Sequence, residues 1–531
     1  MQILLRCLLM GGLIGANLCV PFARAQTTFV NVNVIPMDTE RVLENQAVLV
    51  EGDRITAIGP VDEVEIPDGG EIIEGNGAYL MPGLADMHTH LSTWDSDPGH
   101  LILYLAQGTT TVRSLGEAPD MLAWREQVRS DALRGPTIYS AGRTIAGNYD
   151  NFLGIGLHIT LFRIIVFLIP CLIGALIYFA WGRIRNRRTV LIGVPALLIM
   201  GLALTLSKTP PFMVVAPYLF PEHPHAFASE SAGQAIEEVR NQYRHNVDGV
   251  KLYDGLSEEQ FLAALSEAKK LGMYVHIHLP DQMPLETLLT SGIDEVVHID
   301  EFNSFHWKKS NEEVIAGFQT GIDPQLDYAS IPQTVELMRA NDVAVVSNMS
   351  ADEITYKMIF NTPDVLAGSE YRVVRPEVID YWRTQGRPVT SFAGQGPYRK
   401  KEMGFFKVLI KSLHEAGVTV TVGTDCGWTV EGTLPEHIHR ELELLVEAGF
   451  SNYEALEAGT KNAGYIVTKM GRDGGFGAVT VGQRADLLLL EENPLEHVSH
   501  TRNRMGVMVR GNWYTQSELD ALVEDFVASY R

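Results

Sequence analysis

Met-Pro-Gly-Leu-Ala-Asp-Met-His-Thr-His, at positions 81–90, is the stretch of sequence that decides the fold of this chain. It has the pattern of a short apolar strand that ends on His88 and His90. Side chains alternate along a strand, so these two imidazoles point the same way, and they point inward if the strand lines a barrel. Two neutral imidazoles on one rigid strand supply half of a zinc-type site. Because His-x-His also occurs as a surface or packing pair, residues at the ends of later strands must decide between the two interpretations.

Strands and helices alternate through the middle of the chain, as in a parallel α/β protein. The strands predicted from apolar runs are Leu84–His88, Thr109–Leu115, Pro136–Ala141, Gly249–Tyr253, Tyr274–His278, Glu295–His298, Ala344–Ser347 and Val418–Gly423. Eight strands joined by helices are the number that closes a (β/α)8 TIM barrel. We therefore predict an α/β fold with a barrel over residues 81–458.

The two ends of the chain have a different character, because both are rich in short alternating strands. Residues 26–80 and 459–516 are expected to combine into one small β-sandwich domain, which leaves 517–531 as a C-terminal tail. A chain of 531 residues is long enough for both units. The net charge of −23 has no compensating basic domain, which argues against a nucleic-acid partner.

Four further residues with metal-binding side chains lie at or near the ends of predicted barrel strands: Lys251, His276, His298 and Asp425. Strand ends meet at one face of a barrel, where active sites form. Together with His88 and His90 they make six candidate ligands, a far more specific signal than the first pair alone. His278 competes with His276 for the same role.

The N-terminus and one internal segment predict a membrane-anchored, exported protein. Residues 1–25 have an apolar run and end in Ala-Arg-Ala, as a cleaved signal peptide does. Within 157–208, the uncharged runs 164–181 and 189–207 are each long enough to span a bilayer and flank a loop with four arginines. Positive loops stay on the cytoplasmic side, so we expect an inserted two-helix transmembrane hairpin with the catalytic domain on the periplasmic, exported side.

Several motifs resemble those of the metal-dependent amidohydrolase superfamily, in particular its imidazolonepropionase-like and Xaa-Pro dipeptidase-like branch. These motifs are Pro-Gly-Leu-Ala-Asp-Met-His-Thr-His (82–90), Gly-Thr-Thr-Thr-Val-Arg (108–113), Gly-Thr-Asp (423–425) and Gly-Gln-Arg-Ala-Asp-Leu (482–487). The resemblance covers nearly everything from residue 27 to 515 except the hairpin.

The resemblance implies a site with two divalent metal ions, usually zinc. His88, His90 and Asp425 would hold the first ion, and His276 and His298 the second. Lys251 would bridge both as a carboxylated lysine. The set of residues expected to contact substrate is His278, Tyr253, His223 and His225.

The activity implied is hydrolysis of an amide or peptide C–N bond by a metal-bridging hydroxide, with Asp425 as general base and then acid. The expected substrate is a small amide or dipeptide, and amphiphilic molecules of this class are included. Esters, lactam rings and phosphotriesters suit the same site. A catalytically inactive membrane scaffold and a transport component are the non-enzymatic alternatives, and the oligomeric state stays open.

Overall fold

The computed structural model describes residues 26–91, 98–116, 121–147, 226–280, 282–306, 326–390, 392–427 and 432–530. The strands, numbered in chain order, are β1 Gln26–Val34, β2 Leu43–Glu51, β3 Arg54–Pro60, β4 Glu71–Glu74, β5 Tyr79–Pro82, β6 Leu84–Thr89, β7 Thr109–Ser114, β8 Thr137–Ser140, β9 Thr144–Gly147, β10 Ala226–Ser229, β11 Val250–Leu252, β12 Val275–Ile277, β13 Glu295–Val296, β14 Ala344–Val346, β15 Val420–Thr421, β16 Leu487–Leu490, β17 Arg504–Val509 and β18 Asn512–Thr515.

The α-helices within these ranges lie mainly between the strands. They are Leu101–Ala106, Met121–Arg129, Ala232–Arg244, Glu258–Lys270, Leu285–Thr290, Ile331–Ala340, Met349–Val365, Pro376–Thr384, Gly396–Glu415, His437–Ala448, Asn452–Ala458, Lys461–Lys469 and Gln516–Ala528. Within the described ranges, the three α-helices Met349–Val365, Pro376–Thr384 and Gly396–Glu415 make up the long connection between β14 and β15.

Strands from both ends of the described chain form one sheet, in the order β18-β17-β16-β5-β1-β2-β3, with β4 paired to β1. Three strands separate β1 from β18, which would put them about 19 Å apart in a flat sheet. The rings of Phe29 and Trp513, on these two strands, nevertheless lie 5.3 Å apart between centroids. The sheet therefore curls around its own apolar core, which contains Phe29, Val48 and Leu487.

The last strand of this sheet before the barrel, β5, leads into β6 through Gly83. A Cβ atom at Gly83 would lie 2.2 Å from the Thr110 hydroxyl oxygen, so the close approach of β6 to β7 leaves no room for a side chain. The glycine of the Pro-Gly-Leu motif thus lets the first barrel strand pack directly against the second.

The eight predicted strands form a closed parallel barrel, and the predicted TIM-barrel architecture is confirmed. In barrel order they are β6, β7, β8, β11, β12, β13, β14 and β15, with β9 continuing β8 and pairing with β11. Closure comes from backbone hydrogen bonds between the last and first strands, from Met87 N to Val422 O at 2.9 Å and from Asp425 N to His88 O at 2.8 Å.

The C-terminal residues 516–528 form a helix that begins with a capping box between Thr515 and Glu518. Its apolar face buries Leu519, Val523 and Phe526. Apolar burial of this kind fixes a helix on the body of a protein, so the segment predicted as a tail is part of the packed structure.

The structure does not support two of the predictions. These are the inserted transmembrane hairpin and the membrane-anchored, exported location derived from it. No helix within the described ranges is both long enough and apolar enough to cross a membrane. The two predicted spans, 164–181 and 189–207, and the predicted signal peptide, 1–25, lie outside the described residues. An apolar run satisfies a hydropathy criterion whatever structure it adopts, which is why the sequence alone favoured the hairpin.

Candidate metal centre

The first group of candidate ligands comes from the two strands that close the barrel. The Nε2 atoms of His88 and His90 lie 3.3 Å and 3.0 Å from Oδ1 of Asp425, and 3.3 Å from each other. Nδ1 of His88 is 3.0 Å from the backbone carbonyl oxygen of Val297, which fixes this nitrogen as the donor and turns Nε2 toward the cluster.

A buried carboxylate sets the relative position of these strands. Asp86, which precedes His88 by two residues, accepts hydrogen bonds from the Thr424 hydroxyl at 2.6 Å and from the Thr424 backbone N–H at 3.1 Å. Asp425, the next residue, has a left-handed backbone conformation, with φ of 52°. The side chains of His88 and Asp425 are therefore brought together by backbone positions that the motif itself fixes.

The ionisation of this group suits a cation. Burial holds the pKa of His88 well below its usual range, so its ring is neutral at pH 7 and its nitrogen is free to coordinate. Burial opposes ionisation of Asp425, but His298, His90 and Lys251 outweigh it and hold the pKa of this carboxyl well below its usual range.

Lys251, on β11, reaches the same point from the opposite wall of the barrel. It is buried, with Nζ 3.4 Å from Nε2 of His88 and 5.6 Å from the ring centroid of Tyr253. Burial lowers the pKa of Lys251 to about 8, although Asp425 and Glu301 act in the other direction. A substantial neutral fraction of this amine therefore exists near neutral pH.

A second group lies beside the first, at the ends of β12 and β13. The ring of His298 is 4.4 Å from that of His88 and 4.8 Å from that of His278, between centroids. Nδ1 of His278 is 2.8 Å from Oε1 of Glu301, whose other oxygen accepts a hydrogen bond from the Leu279 backbone N–H. Burial works against protonation of His278, but Glu301 raises its pKa to about 9, so a metal ion that binds this ring at neutral pH must displace a proton from it.

His276 does not join either group. It lies within β12, one inward-facing position deeper than His278, and its Nδ1 is 3.2 Å from Oε1 of Glu295. Glu295 also forms a fully buried ion pair with Arg113, whose Nε donates to the Met87 carbonyl oxygen at 2.8 Å. The structure thus puts His276 in a polar layer beneath the cluster and brings His278 to the cluster in its place.

The residues present fit divalent metal ions. Two sets of side chains have ligand atoms that all lie within 4.8 Å of one another: His88, His90 and Asp425; and His278, His298 and Glu301. Nε2 of His278 is buried and has no hydrogen-bond partner among the described residues, as expected of an atom that binds a cation, and the same holds for Nε2 of His276. Imidazole nitrogen with carboxylate oxygen is a typical donor set for zinc.

Three further residues were predicted to contact substrate, and one of them lies within the described ranges. Tyr253 packs against His278, with ring centroids 4.0 Å apart and ring planes tilted by 42°. His223 and His225 lie outside the described residues. Glu301, Glu295 and Asp86 had no predicted role. Their signal in the sequence is an acidic residue two positions before His88 and one three positions to either side of His298.

Charged side chains continue from the second group toward the carboxyl end of β13 and β14. Asp300 follows His298 by two residues, with its Oδ1 4.0 Å from Nδ1 of that ring. Burial and the neighbouring Asp300 carboxylate raise the pKa of Asp352 well above its usual range. Arg399 lies 3.5 Å from the buried Glu402, between NH1 and Oε2.

The sequence pattern of the amidohydrolase family matches residues 214–514, more than half of the chain. An imidazolonepropionase of Micrococcus luteus is 34% identical over 116 residues, which are 20% of this chain and 28% of that protein. An adenine deaminase of Staphylothermus marinus is 35% identical over 85 residues, 15% of this chain and 14% of that protein. The chain thus aligns with less than a third of the length of these curated relatives.

Solved structures with the same fold cover nearly the whole chain. A Xaa-Pro dipeptidase with bound methionine superimposes with a TM-score of 0.59 and 18% identity, over 92% of this chain and all of that one. The ochratoxinase of A. niger gives a TM-score of 0.58 and 17% identity, over 93% of this chain and 96% of that one. At these identities the likeness shows the fold alone.

The chain belongs to the amidohydrolase family. This confirms the predicted superfamily and the predicted class of enzyme, a hydrolase acting on carbon–nitrogen bonds.

Proposed function

We propose that this protein is a metal-dependent amidohydrolase that cleaves the amide or peptide C–N bond of a small molecule, with two zinc ions at the barrel mouth. The observation that carries the proposal is the convergence of His88, His90, His298 and Asp425 around Lys251 from the ends of four strands. Five groups with these chemistries, four of them buried and His90 partly exposed, form a reaction centre at the carboxyl end of a barrel more readily than a packing core.

We assign the second ion to His278 and His298 instead of His276 and His298. Both rings turn Nδ1 toward a carboxylate and have a buried Nε2 without a hydrogen-bond partner among the described residues. What supports the choice of His278 is that its ring, and not that of His276, lies within 4.8 Å of the ligand atoms of His298 and Glu301. A carboxylate behind a coordinating imidazole is the usual way in which proteins fix its tautomer and orientation. Glu301 is thus proposed as an orienting group for His278 and not as a ligand, which leaves His278, His298 and the Lys251 carbamate to hold the second ion. His276 supports the cluster from below through Glu295.

Lys251 is proposed to bridge the two groups as a carbamate. Its neutral amine attacks carbon dioxide, a new N–C bond forms, and one proton leaves to solvent, which converts the side chain into a carboxylate. This change replaces a positive charge with a negative one next to His88, where an ammonium would repel metal ions.

When bound, divalent ions polarise a substrate carbonyl and lower the pKa of a coordinated water. Asp425, ionised at neutral pH, accepts a proton at a carboxylate oxygen as the nucleophile forms and then donates it to the leaving nitrogen. The ring of Tyr253 packs against that of His278, tilted by 42°, and is placed to contact a substrate bound beside the second group.

The test is turnover by the zinc-loaded full chain on a panel of dipeptides, N-acyl amino acids and esters. We expect release of a free amine from at least one amide or peptide, removal of the activity by a chelator and its return with zinc. Hydrolysis of esters alone, or unchanged rates after complete removal of metal, would overturn the proposal. The Asp425→Asn variant, assayed in parallel, controls for contaminating hydrolases.

A further inference from the structure

A tyrosine behind the first barrel strand contacts the residue between two of the candidate metal ligands. Tyr104 lies on helix Leu101–Ala106, between β6 and β7, and its hydroxyl is hydrogen-bonded to that of Thr89. Thr89 stands between His88 and His90, and the alternation of a strand turns its side chain away from theirs. Tyr104 and Thr89 are both buried. Tyr104 thus reaches the metal-binding segment from the side opposite to the candidate metal centre.

The direction of these hydrogen bonds follows from counting protons. The Thr89 hydroxyl has one proton, which it donates to the backbone carbonyl of Cys426 at 2.9 Å. In its contact with Tyr104 the threonine oxygen must therefore accept, so the phenol is the donor. The result is a chain of two hydrogen bonds that runs from Tyr104 through Thr89 to Cys426. Hydrogen bonds in such a chain polarise and strengthen one another.

The chain of hydrogen bonds ends on the residue that follows a third candidate ligand, Asp425. The Cys426 carbonyl accepts a second hydrogen bond from the His90 backbone N–H at 2.7 Å, and the Asp425 backbone N–H donates to the His88 carbonyl at 2.8 Å. Three hydrogen bonds thus join the two segments that carry the ligands of the first group. Among these three, the one from Thr89 is made by a side chain, and it is the one that Tyr104 controls.

Packing alone does not account for the hydroxyl group of Tyr104. Its ring belongs to an apolar cluster in which a phenylalanine ring would fill the same space, beside Leu91, Leu101, Val112 and Trp124. The phenol is not needed to satisfy Thr89 as a donor either, because Cys426 already accepts that proton. What the phenol adds is a second partner for the Thr89 oxygen, which holds this side chain in one orientation.

We infer that Tyr104 is a positioning residue for the first metal ion, and that it acts through Thr89 on the separation between the two histidines and Asp425. This inference rests on the proposed function, because it requires that the first group binds an ion. It adds a residue that offers no atom to the ion or to a substrate.

The effect of Tyr104 should be confined to the first ion. The second group is oriented by a different contact, between Nδ1 of His278 and Oε1 of Glu301 at 2.8 Å. Loss of a partner behind a metal ligand lowers metal affinity about 10- to 100-fold, and Tyr104 acts one residue further away. We therefore expect a change at the lower end of that range, for one of the two ions.

Tyr104→Phe removes the hydroxyl and keeps the ring. The metal-free full chain is titrated with Co²⁺, whose visible absorption reports the geometry of its ligands. His90→Ala identifies the binding step of the first ion by removing it from the titration. In Tyr104→Phe that step should weaken about 10-fold and its absorption band should shift, while the other step stays within twofold of the parent.

Tyr139→Phe is the matched control. Tyr139 is also a buried tyrosine, and its hydroxyl donates to the Asp473 carbonyl at 2.9 Å, a contact that includes no residue of either metal group. Both variants lose one buried hydrogen bond, so both should lose some thermal stability. The affinity and spectrum of the first Co²⁺ should change in Tyr104→Phe and stay unchanged in Tyr139→Phe.

A double-mutant cycle tests whether Tyr104 acts through Thr89. Thr89→Val keeps the shape of the side chain and removes its hydroxyl, so it should weaken the same Co²⁺ step. The double variant Tyr104→Phe, Thr89→Val should then bind Co²⁺ no more weakly than Thr89→Val alone, because the two hydroxyls belong to one chain of hydrogen bonds. Thermal unfolding reports whether each variant folds. Should Tyr104→Phe not fold, Thr89→Val is compared with Thr89→Ser, which keeps the hydroxyl and should retain the affinity.

Failure of the inference differs from failure of the proposed function. If the parent binds neither Co²⁺ nor Zn²⁺, the proposed function fails and the inference fails with it. If the parent binds Co²⁺ and Tyr104→Phe binds it with the same affinities and spectra, the inference is overturned while the hydrolase stands. Full additivity in the cycle, or equal affinities of Thr89→Val and Thr89→Ser, would overturn it as well.

Discussion

The imidazole of His278 and the carboxylate of Glu301 lie 2.8 Å apart, between Nδ1 and Oε1, and this contact determines which ring nitrogen faces the candidate metal centre. The same chain offers a second histidine two residues earlier, held by Glu295 in the layer below. A pair of histidines on one strand thus has two different partners, and the partners distinguish their roles.

The first prediction separates these two histidines. His278→Ala should lower bound zinc toward one ion per chain and reduce turnover by about 100-fold or more, because a ligand is lost. His276→Gln, a matched change in the layer below, should retain two ions. Zinc content by mass spectrometry and turnover on one substrate decide between them. Retention of two ions by His278→Ala together with their loss from His276→Gln would restore the assignment made from sequence.

The second prediction concerns Glu301. Glu301→Gln keeps the shape but weakens the charge-assisted hydrogen bond to His278, so zinc affinity should fall about 10- to 100-fold. Competition with a chromogenic chelator measures this directly, without any substrate. An affinity within twofold of the parent would exclude an orienting role.

The third prediction concerns proton transfer. Asp425→Asn removes the proton acceptor while preserving size, so turnover should fall by about 10²- to 10⁴-fold. Stopped assays with saturating zinc separate this effect from weakened metal binding. A turnover within a few-fold of the parent would remove Asp425 from the general-base role.

The fourth prediction tests the carbamate. Lys251→Ala should lose activity, and a small carboxylate such as formate should restore part of it by occupying the vacated position. With ¹³C-labelled carbon dioxide, the parent should show a carbamate resonance that Lys251→Ala lacks. Full turnover by the alanine variant without added carboxylate would disprove the bridge.

The fifth prediction concerns stability against acid. Glu353 accepts hydrogen bonds from Arg440 at 2.7 and 2.8 Å, and its side chain is 7% exposed. Burial opposes ionisation, but Arg440 and Lys357 lower the pKa of Glu353 to about 2. A lowered pKa means stability that is present above the unfolded-state value and lost as pH falls toward 2.

Glu353→Gln should therefore be less stable than the parent by about 2 kcal/mol at pH 7. The difference should narrow between pH 4.5 and 2, as measured by urea unfolding at several pH values. Glu336→Gln, an exposed carboxylate paired with Arg339, is the control and should show little change at any pH. A difference that stays constant with pH would show that the ion pair is not its source.

The barrel could be predicted because its strands are short apolar runs with clear punctuation, as in Gly249–Tyr253 and Val418–Gly423. Sequence patterns do not locate strand ends to within a residue or two. His276 and His278 share one face of the same strand, and the end of β12 at Ile277 decides which of them reaches the cluster. No periodicity carries that information.

Other features depended on contacts between distant parts of the chain. The role of Glu301 follows from a short 3-10 turn after β13, whose conformation has no apolar pattern to reveal it. The apolar runs at 164–181 and 189–207 are a case in which the sequence predicted too much. Hydropathy alone favoured a transmembrane hairpin, which the described helices do not support.

The closing contact between β15 and β6 has a consequence for how this protein is made. The Asp425 backbone N–H donates to the His88 carbonyl, and the same two residues are proposed ligands of the first ion. Bringing these two residues together closes a long loop of the chain. Closing it costs conformational entropy, and contacts within each segment of the loop do not offset that cost. An ion that binds only the joined pair stabilises the closed barrel by mass action. Zinc supply during synthesis should thus raise the yield of folded chain, besides its part in turnover.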